Sequence, residues 1–251
     1  MRIALISDIH GNLVALDAVL MDINREQVDQ IICLGDVATI GPQPRQVVER
    51  LRKLDLISIT GNHESYLLNP NLSDEEADAP PWLGEMMGWS TAQLSRADFD
   101  YLRSFQPLLE IPFDAAHSLL CFHGSPRSNT DMILATTPAA ALDKMLTGHA
   151  ATVMVGGHSH VQMVRQHNGR MIVNVGSVGE PLEHMPIQAT TRILPWAEYA
   201  IISWVDGVLG IEARRVPIDL KAVKETVVRS DMPAGVKKGV WSRLGLPVAY
   251  R

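Results

Sequence analysis

The chain has 251 residues, 46% of them hydrophobic and 20% charged, with a formal net charge of −6. That length buries a core without disulfide or metal staples, so a metal, if bound, serves chemistry more than folding. The acidic balance and the lack of a Lys/Arg run argue against a general affinity for nucleic-acid backbones or anionic membranes.

RIALIS, at residues 2–7, is an unbroken apolar run, the pattern of a strand covered on both faces. GNLVALDAVLMDINRE follows, with Leu13, Leu16, Leu20 and Ile23 at helical spacing. QIICLGD reads as a second buried strand, and RQVVERLRKL as a helix after the turn GPQP. LISITGNHE reads as a third strand ending in Gly-Asn-His-Glu. The order so far is β-α-β-α-β, with polar residues at each strand's carboxyl end, where open α/β sheets bind ligands.

Residues 66–107 change character. NPNLSDEEADAPP is acidic and rich in proline, while WLGEMMGWSTAQLS and ADFDYLRSF look helical. A helical insertion over about 66–107 is expected beside the sheet core, with Trp82, Trp89 and Tyr101 buried against it. Strand signals return at SLLCFHG, and a helix follows at TPAAALDKML, with Thr137 as its N-cap before Pro138. ATVMVGG is the next strand. VQMVRQHNGRMIVNVGS and AEYAIISWVDGVLGIEARRV read as hairpins turning at Asn168-Gly169 and Asp206-Gly207. A helical tail is expected over about 218–251.

No internal repeat or linker is evident, so residues 1–251 read as one domain. Alternating β and α in one half and hairpins in the other do not fit a single sheet. An α/β fold of two mixed β-sheets packed together, with helices outside, satisfies both. Cys33 and Cys121 lie in apolar runs and read as buried free thiols of a reducing compartment. MRIALISD is too short in apolar residues for a secretory leader, and no run approaches a membrane span. A soluble, cytoplasmic protein is expected.

Five strand ends carry polar residues next to glycine: Asp8, His10 and Asn12; Asp36; Asn62, His63 and Glu64; His123; and His158 and His160. His117, His149, His167 and His184 lack that context and read as surface or loop residues. Singly, each strand end is weak; together they point to one metal or catalytic site. Carboxylates, imidazoles and an amide without thiolate suit Mn, Fe, Co, Ni or Zn. Asp8, His10, Asp36, Asn62, His123, His158 and His160 are seven groups, more than one zinc-type site takes. They make sense for two ions sharing a carboxylate, the arrangement that grips both ends of an in-line displacement at phosphorus.

The ordered series Asp-x-His, Gly-Asp, Gly-Asn-His-Glu, His-Gly and Gly-His-x-His over residues 8–160 resembles the calcineurin-like metallophosphoesterases. GDVATIGP at 35–42 and NVGSVGEP at 174–181 resemble a small stand-alone bacterial and archaeal subgroup of phosphodiesterases and phosphatases. The resemblance implies a four-layer α/β/β/α sandwich. It implies one ion on Asp8, His10 and His160, a second on Asn62, His123 and His158, and Asp36 bridging them together with a hydroxide. His63 would be the non-ligand histidine that stabilises the transition state or protonates the leaving oxygen. Asn12 and the backbone around Gly61 would contact phosphate, with Arg127 as a further candidate. Manganese is the first expectation for both ions.

The serine/threonine phosphatase branch carries Asp-Arg after its Gly-Asp; this chain reads GDVATIGP, so the carboxylate that would orient His63 is missing. Residues 182–196 are more apolar than expected there and are candidates for covering the site edge or an oligomer interface. The expected substrate is a small phosphorylated molecule, nucleotide-like ones included. A homo-oligomer is compatible with the sequence, and the competing readings are a nuclease and a non-catalytic scaffold of the same fold.

Overall fold

The structure, a computed structural model, describes residues 1–70, 81–185 and 191–243, without the side chains of 81–83 and 241–243. The first half runs β1 (Arg2–Ile6), α1 (Leu13–Ile23), β2 (Gln30–Cys33), α2 (Pro44–Leu54) and β3 (Ile57–Ser58). Three helices follow, α3 (Asn62–Leu68), α4 (Pro81–Gln93) and α5 (Arg96–Arg103). Then come β4 (Leu109–Pro112), β5 (Ser118–Cys121), α6 (Ala139–Met145), β6 (Val153–Gly156), β7 (Met163–His167) and β8 (Arg170–Asn174). The chain closes with β9 (Trp196–Val205), β10 (Val208–Pro217), α7 (Leu220–Arg229) and α8 (Ala234–Arg243).

The strands form two mixed sheets of five, ordered β10-β9-β1-β2-β3 and β4-β5-β6-β8-β7. Alternation along each strand sorts its side chains into layers. Ile3 and Leu5 of β1 face Leu119, Cys121, Val153 and Val155 of the second sheet. Ala4 and Ile6 point the other way, onto Ala15, Leu16 and Val19 of α1 and Val47, Val48 and Leu51 of α2. Leu120 and Met154 likewise turn outward to Leu142 of α6. The result is the α/β/β/α sandwich. Each fully buried Leu or Ile in these layers contributes about 1.5–3 kcal/mol relative to exposure. Cys33 and Cys121 are free and buried among them, and burial pushes both thiols up, away from reactivity.

Both hairpins turn where expected, with Asn168, Gly169, Asp206 and Gly207 all at positive φ. Three local readings need correction. α3 begins at Asn62, so Asn62, His63 and Glu64 open a helix rather than end a strand. The edge strand β4 is an addition to the expected elements; it is short and lies between Pro107 and Pro112. Pro138, not Thr137, occupies the N-cap position of α6, because the Thr137 hydroxyl accepts from the Leu134 N–H instead.

Trp89 and Tyr101 are half-buried, Tyr101 edge-on to Phe105; the Trp82 side chain lies outside the described residues. α4, α7 and α8 share an apolar cluster of Met86, Val227, Met232, Val236 and Val240 that closes on Ile40. No described helix is long and apolar enough to cross a membrane.

Candidate metal centre

All five polar strand ends meet at one edge of the sandwich. Beyond β1 and β2 the chain keeps pairing: the Asp8 N–H donates to the Gly35 carbonyl and the His10 N–H to the Asp36 carbonyl, at 3.0 and 2.9 Å. The second sheet joins through the His158 N–H, which donates to Asp8 Oδ2 at 3.0 Å, and through His123 Nδ1, 2.7 Å from the Leu34 carbonyl. The segment after β8 latches Asp8 from below, with the Ser177 hydroxyl and the Gly179 N–H both donating to its carbonyl.

Five of the converging residues take left-handed backbone conformations: Asp8, His10, Asp36, His158 and His160, at φ of 54°, 47°, 57°, 67° and 58°. Each costs roughly 1–2 kcal/mol for a side chain with a Cβ. Such residues gather where function needs an unusual direction. The glycines beside them allow the approach. A Cβ on Gly157 would press into Ser7 Oγ and Asp8 Oδ2, and one on Gly61 into Asp36 Oδ1.

Among the described residues the donor atoms form three groups. Asp8, His10 and His160 bring one donor atom each within 4.8 Å of one another, and so do Asp36, His123 and His158; these two share no residue, while a third group of His10, Asp36 and His63 overlaps both. His158 and His160 therefore part company: the His158 ring lies 5.2 Å from that of His123, and the His160 ring 4.8 Å from that of His10. Asn62 Oδ1 lies 3.0 Å from His123 Nε2. Asp36 Oδ2 stands between the groups, 3.2 Å from His123 Nε2 and 3.9 Å from His10 Nε2.

The donor chemistry fits a cation. The Nδ1 atoms of His160 and His123 face backbone carbonyls, those of Glu180 and Leu34, at 2.8 and 2.7 Å. The Nδ1 proton is thereby fixed, and each ring, once its Nε2 proton is displaced by an ion, would offer that lone pair inward, as metal-ligating histidines do. His10 Nε2 and His160 Nε2 lie only 3.0 Å apart, so one of them carries a proton or both lone pairs share a cation. Asp8 Oδ1, fully buried and 3.2 Å from His160 Nε2, has no well-aligned hydrogen-bond donor among the described residues.

The titration pattern agrees. Burial opposes charge on Asp8 and Asp36, but the imidazoles of His160 and His123 outweigh it and hold both carboxyls below the usual range. Burial likewise opposes charge on His123, yet Asp36 and Asp8 push it up to about 10. Burial strips charge from His10, His63 and His158, the last drawn down to about 4. Without an ion the carboxylates hold protons on nearby imidazoles, and an ion would replace those protons.

A family model described as the calcineurin-like phosphoesterase superfamily domain matches residues 1–194. The chain belongs to that family. A crystal structure of a metallophosphoesterase from Sphaerobacter thermophilus is 28% identical, covers 96% of this chain and 99% of that one, and superposes with a TM-score of 0.72. A hypothetical protein from Pyrococcus horikoshii shares the fold at 20% identity and a TM-score of 0.78, over 95% and 97% of the two chains. An uncharacterised protein of Methanocaldococcus jannaschii is 28% identical over 247 residues, covering 92% of this chain and 93% of its own. The chain is thus a metal-dependent phosphoesterase.

Other candidate residues of this phosphoesterase have additional partners. Asn12 caps α1 by accepting from the Ala15 N–H at 3.1 Å and donates to the Gly179 carbonyl at 3.1 Å. The Arg127 guanidinium pairs with both oxygens of Asp131, at 2.6 and 3.0 Å. His117 and His167 pair with Asp114 and Asp143, away from the centre. At the start of the apolar segment over 182–196, the Leu182 N–H donates to the His160 carbonyl and Leu182 bridges Ile193; residues 186–190 lie outside the described residues.

Sequence reasoning named Glu64 at a strand end without giving it a role, and missed Thr39. Glu64 braces the loops of the phosphoesterase centre. Its carboxylate accepts from the N–H groups of Asp36, Val37 and Gly61, at 2.7, 2.8 and 2.9 Å. Burial and the neighbouring Asp36 charge push it up to about 7, against these donors. Glutamate three residues after Gly61 is a capping-box spacing that could have revealed the helix start. Glu64→Ala orphans three buried donors at about 1–3 kcal/mol each. We expect the melting temperature of the metal-free protein to fall on the order of 10 °C, read by calorimetry. An unchanged melting point would show that Glu64 braces nothing. The missed residue is Thr39, whose hydroxyl lies 2.8 Å from His63 Nδ1 and 3.2 Å from His10 Nδ1. No motif signalled it.

Proposed function

We propose that this phosphoesterase hydrolyses a phosphate mono- or diester of a small molecule at a dinuclear centre. Asp8, His10 and His160 would hold one ion, and Asn62, His123 and His158 the other. Asp36 would serve both. The position of Asp36 Oδ2 between the two buried groups carries this reading. When bound, the two ions supply positive charge to the phosphoryl oxygens and acidity to a water. The mixed oxygen and nitrogen donors favour Mn, with Fe, Zn, Ni and Co as alternatives.

The chain's own residues do the rest. The His63 N–H donates to Asp36 Oδ1 at 2.9 Å and, with Glu64 below, fixes the shared carboxylate. The His63 ring presents Nε2 to the same space, 3.9 Å from Asp36 Oδ2, where it can meet a phosphoryl or leaving oxygen. A cavity of about 250 Å³ adjoins the centre, lined by Thr60, Ser65, His123, Arg127 and Asn129. Its size and hydroxyl-rich wall suit a small polar leaving group, with Arg127 at its edge. A net charge of −6 favours such a substrate over a nucleic acid. Buried free thiols accord with the cytoplasm as its location.

The deciding experiment is a panel of p-nitrophenyl phosphate, bis-p-nitrophenyl phosphate, nucleotides and DNA, with added Mn and with chelator. Hydrolysis of at least one small ester, abolished by chelator and restored by Mn, is expected. Silence across the whole panel with Mn present would leave the scaffold reading. Cleavage of DNA alone would favour the nuclease.

A further inference from the structure

Among the described residues no carboxylate is hydrogen-bonded to the His63 ring, and a buried hydroxyl takes that place. Thr39 is fully buried in the loop after β2, and its Oγ1 lies within hydrogen-bond distance of two imidazoles, 3.2 Å from His10 Nδ1 and 2.8 Å from His63 Nδ1. The two rings stand edge to face, 4.9 Å between centroids. We propose that Thr39 is a positioning residue that passes the tautomer of His10 on to His63, so that neutral His63 presents an Nε2–H to the substrate. The proposal rests on the dinuclear reading above.

The proton order follows from donor counting. His10 directs Nε2 toward Asp8 Oδ1 and His160 Nε2, so as a ligand it needs a lone pair there. Its proton is then on Nδ1 and is donated to Thr39 Oγ1. A threonine hydroxyl has one proton and two lone pairs; Thr39 is fully buried, and among the described residues its Oγ1 meets only these two rings, so with His10 donating, the hydroxyl proton is satisfied only on the other ring. His63 Nδ1 therefore accepts. The remaining His63 proton is on Nε2, the atom that faces Asp36 Oδ2 and the reaction space. A carboxylate in place of Thr39 would do the opposite: it would draw the proton to Nδ1, leaving the neutral ring's Nε2 a base or favouring the imidazolium. The hydroxyl makes His63 a neutral hydrogen-bond donor, suited to stabilising charge on an oxygen rather than to delivering a full proton.

The test compares wild type with Thr39→Val, which keeps the shape and removes the hydroxyl, and with Thr39→Ser, which restores it. Long-range ¹H–¹⁵N correlation spectra of the Zn²⁺-loaded proteins report the tautomer of His63, and elemental analysis reports the ions bound per chain. We expect an Nε2–H tautomer for His63 in wild type and in Thr39→Ser, and a mixture in Thr39→Val. kcat should fall ~10–100-fold in Thr39→Val with KM and metal content nearly unchanged, and recover in Thr39→Ser. Two ions per chain with an Nδ1–H His63 in wild type, or a wild-type kcat in Thr39→Val, overturns the relay alone. Fewer than two ions per wild-type chain overturns the dinuclear reading and the relay with it.

Discussion

Asp36→Asn should impair both metal sites while leaving the fold in place. The asparagine keeps an oxygen to accept from the His63 N–H, so the loop after β2 retains its anchor. It loses the charge that both groups face. An amide NH₂ in place of Oδ2 would direct N–H bonds at His123 Nε2, now 3.2 Å away, and toward His10 Nε2 at 3.9 Å. Those are the nitrogens whose lone pairs an ion needs. We expect metal content to fall to at most one ion per chain. kcat/KM should drop at least about 10³-fold, or ~4 kcal/mol of transition-state stabilisation. Elemental analysis and kinetics on the same preparation check it, with circular dichroism guarding against misfolding. Two ions retained in the variant would show that Asp36 does not join the sites.

His63→Ala should separate chemistry from metal binding. His63 belongs to the first turn of α3, and its ring is about one-tenth exposed at the mouth of the centre. Its Nδ1 is taken by Thr39, and its Nε2 faces open space above Asp36. The backbone N–H that holds Asp36 survives the substitution, so both ions should stay. kcat should fall ~10²–10³-fold, the loss expected when one preorganised donor to a developing oxyanion is removed. kcat/KM should fall by the same factor, since the contact forms mainly in the transition state. A kcat within a few-fold of wild type would remove His63 from the mechanism. Loss of metal would make it a ligand instead.

Much of this was legible along the chain. β1, β2, β5 and β6 are apolar runs covered on both faces, and such runs announce themselves without tertiary context. The polar residues at their ends stood out because each follows a run and lies next to glycine. The misses share a cause. β4 alternates between half-buried and exposed residues between two prolines, so its pattern is faint. The helical start at Asn62 has no periodicity of its own; it forms because Glu64 reaches back to the Gly61 N–H and across to Asp36 and Val37. The α6 cap moved because the Thr137 hydroxyl found the Leu134 N–H first.

Asn12 and Arg127 have residue types that suit phosphate, and the fold also gives each a protein partner, Gly179 for one and Asp131 for the other. Thr39 is the converse: an ordinary threonine in the string, made consequential by two imidazoles that arrive from the loop after β1 and the first turn of α3.

The sequence by itself determined the layers and the donor atoms, because alternation and apolar runs are local and residue types are what they are. The family resemblance implied how those donors divide, but the physical basis of the division lies in the tertiary structure. The partition of His158 from His160 depends on two left-handed residues after Gly157 and on which neighbours, His123 or His10, the other strands deliver. The tautomers depend on which carbonyl or hydroxyl each Nδ1 meets, at distances set by the packing of two sheets. Hydrogen bonds act over about 3 Å between residues far apart in the chain, and no local pattern encodes that proximity.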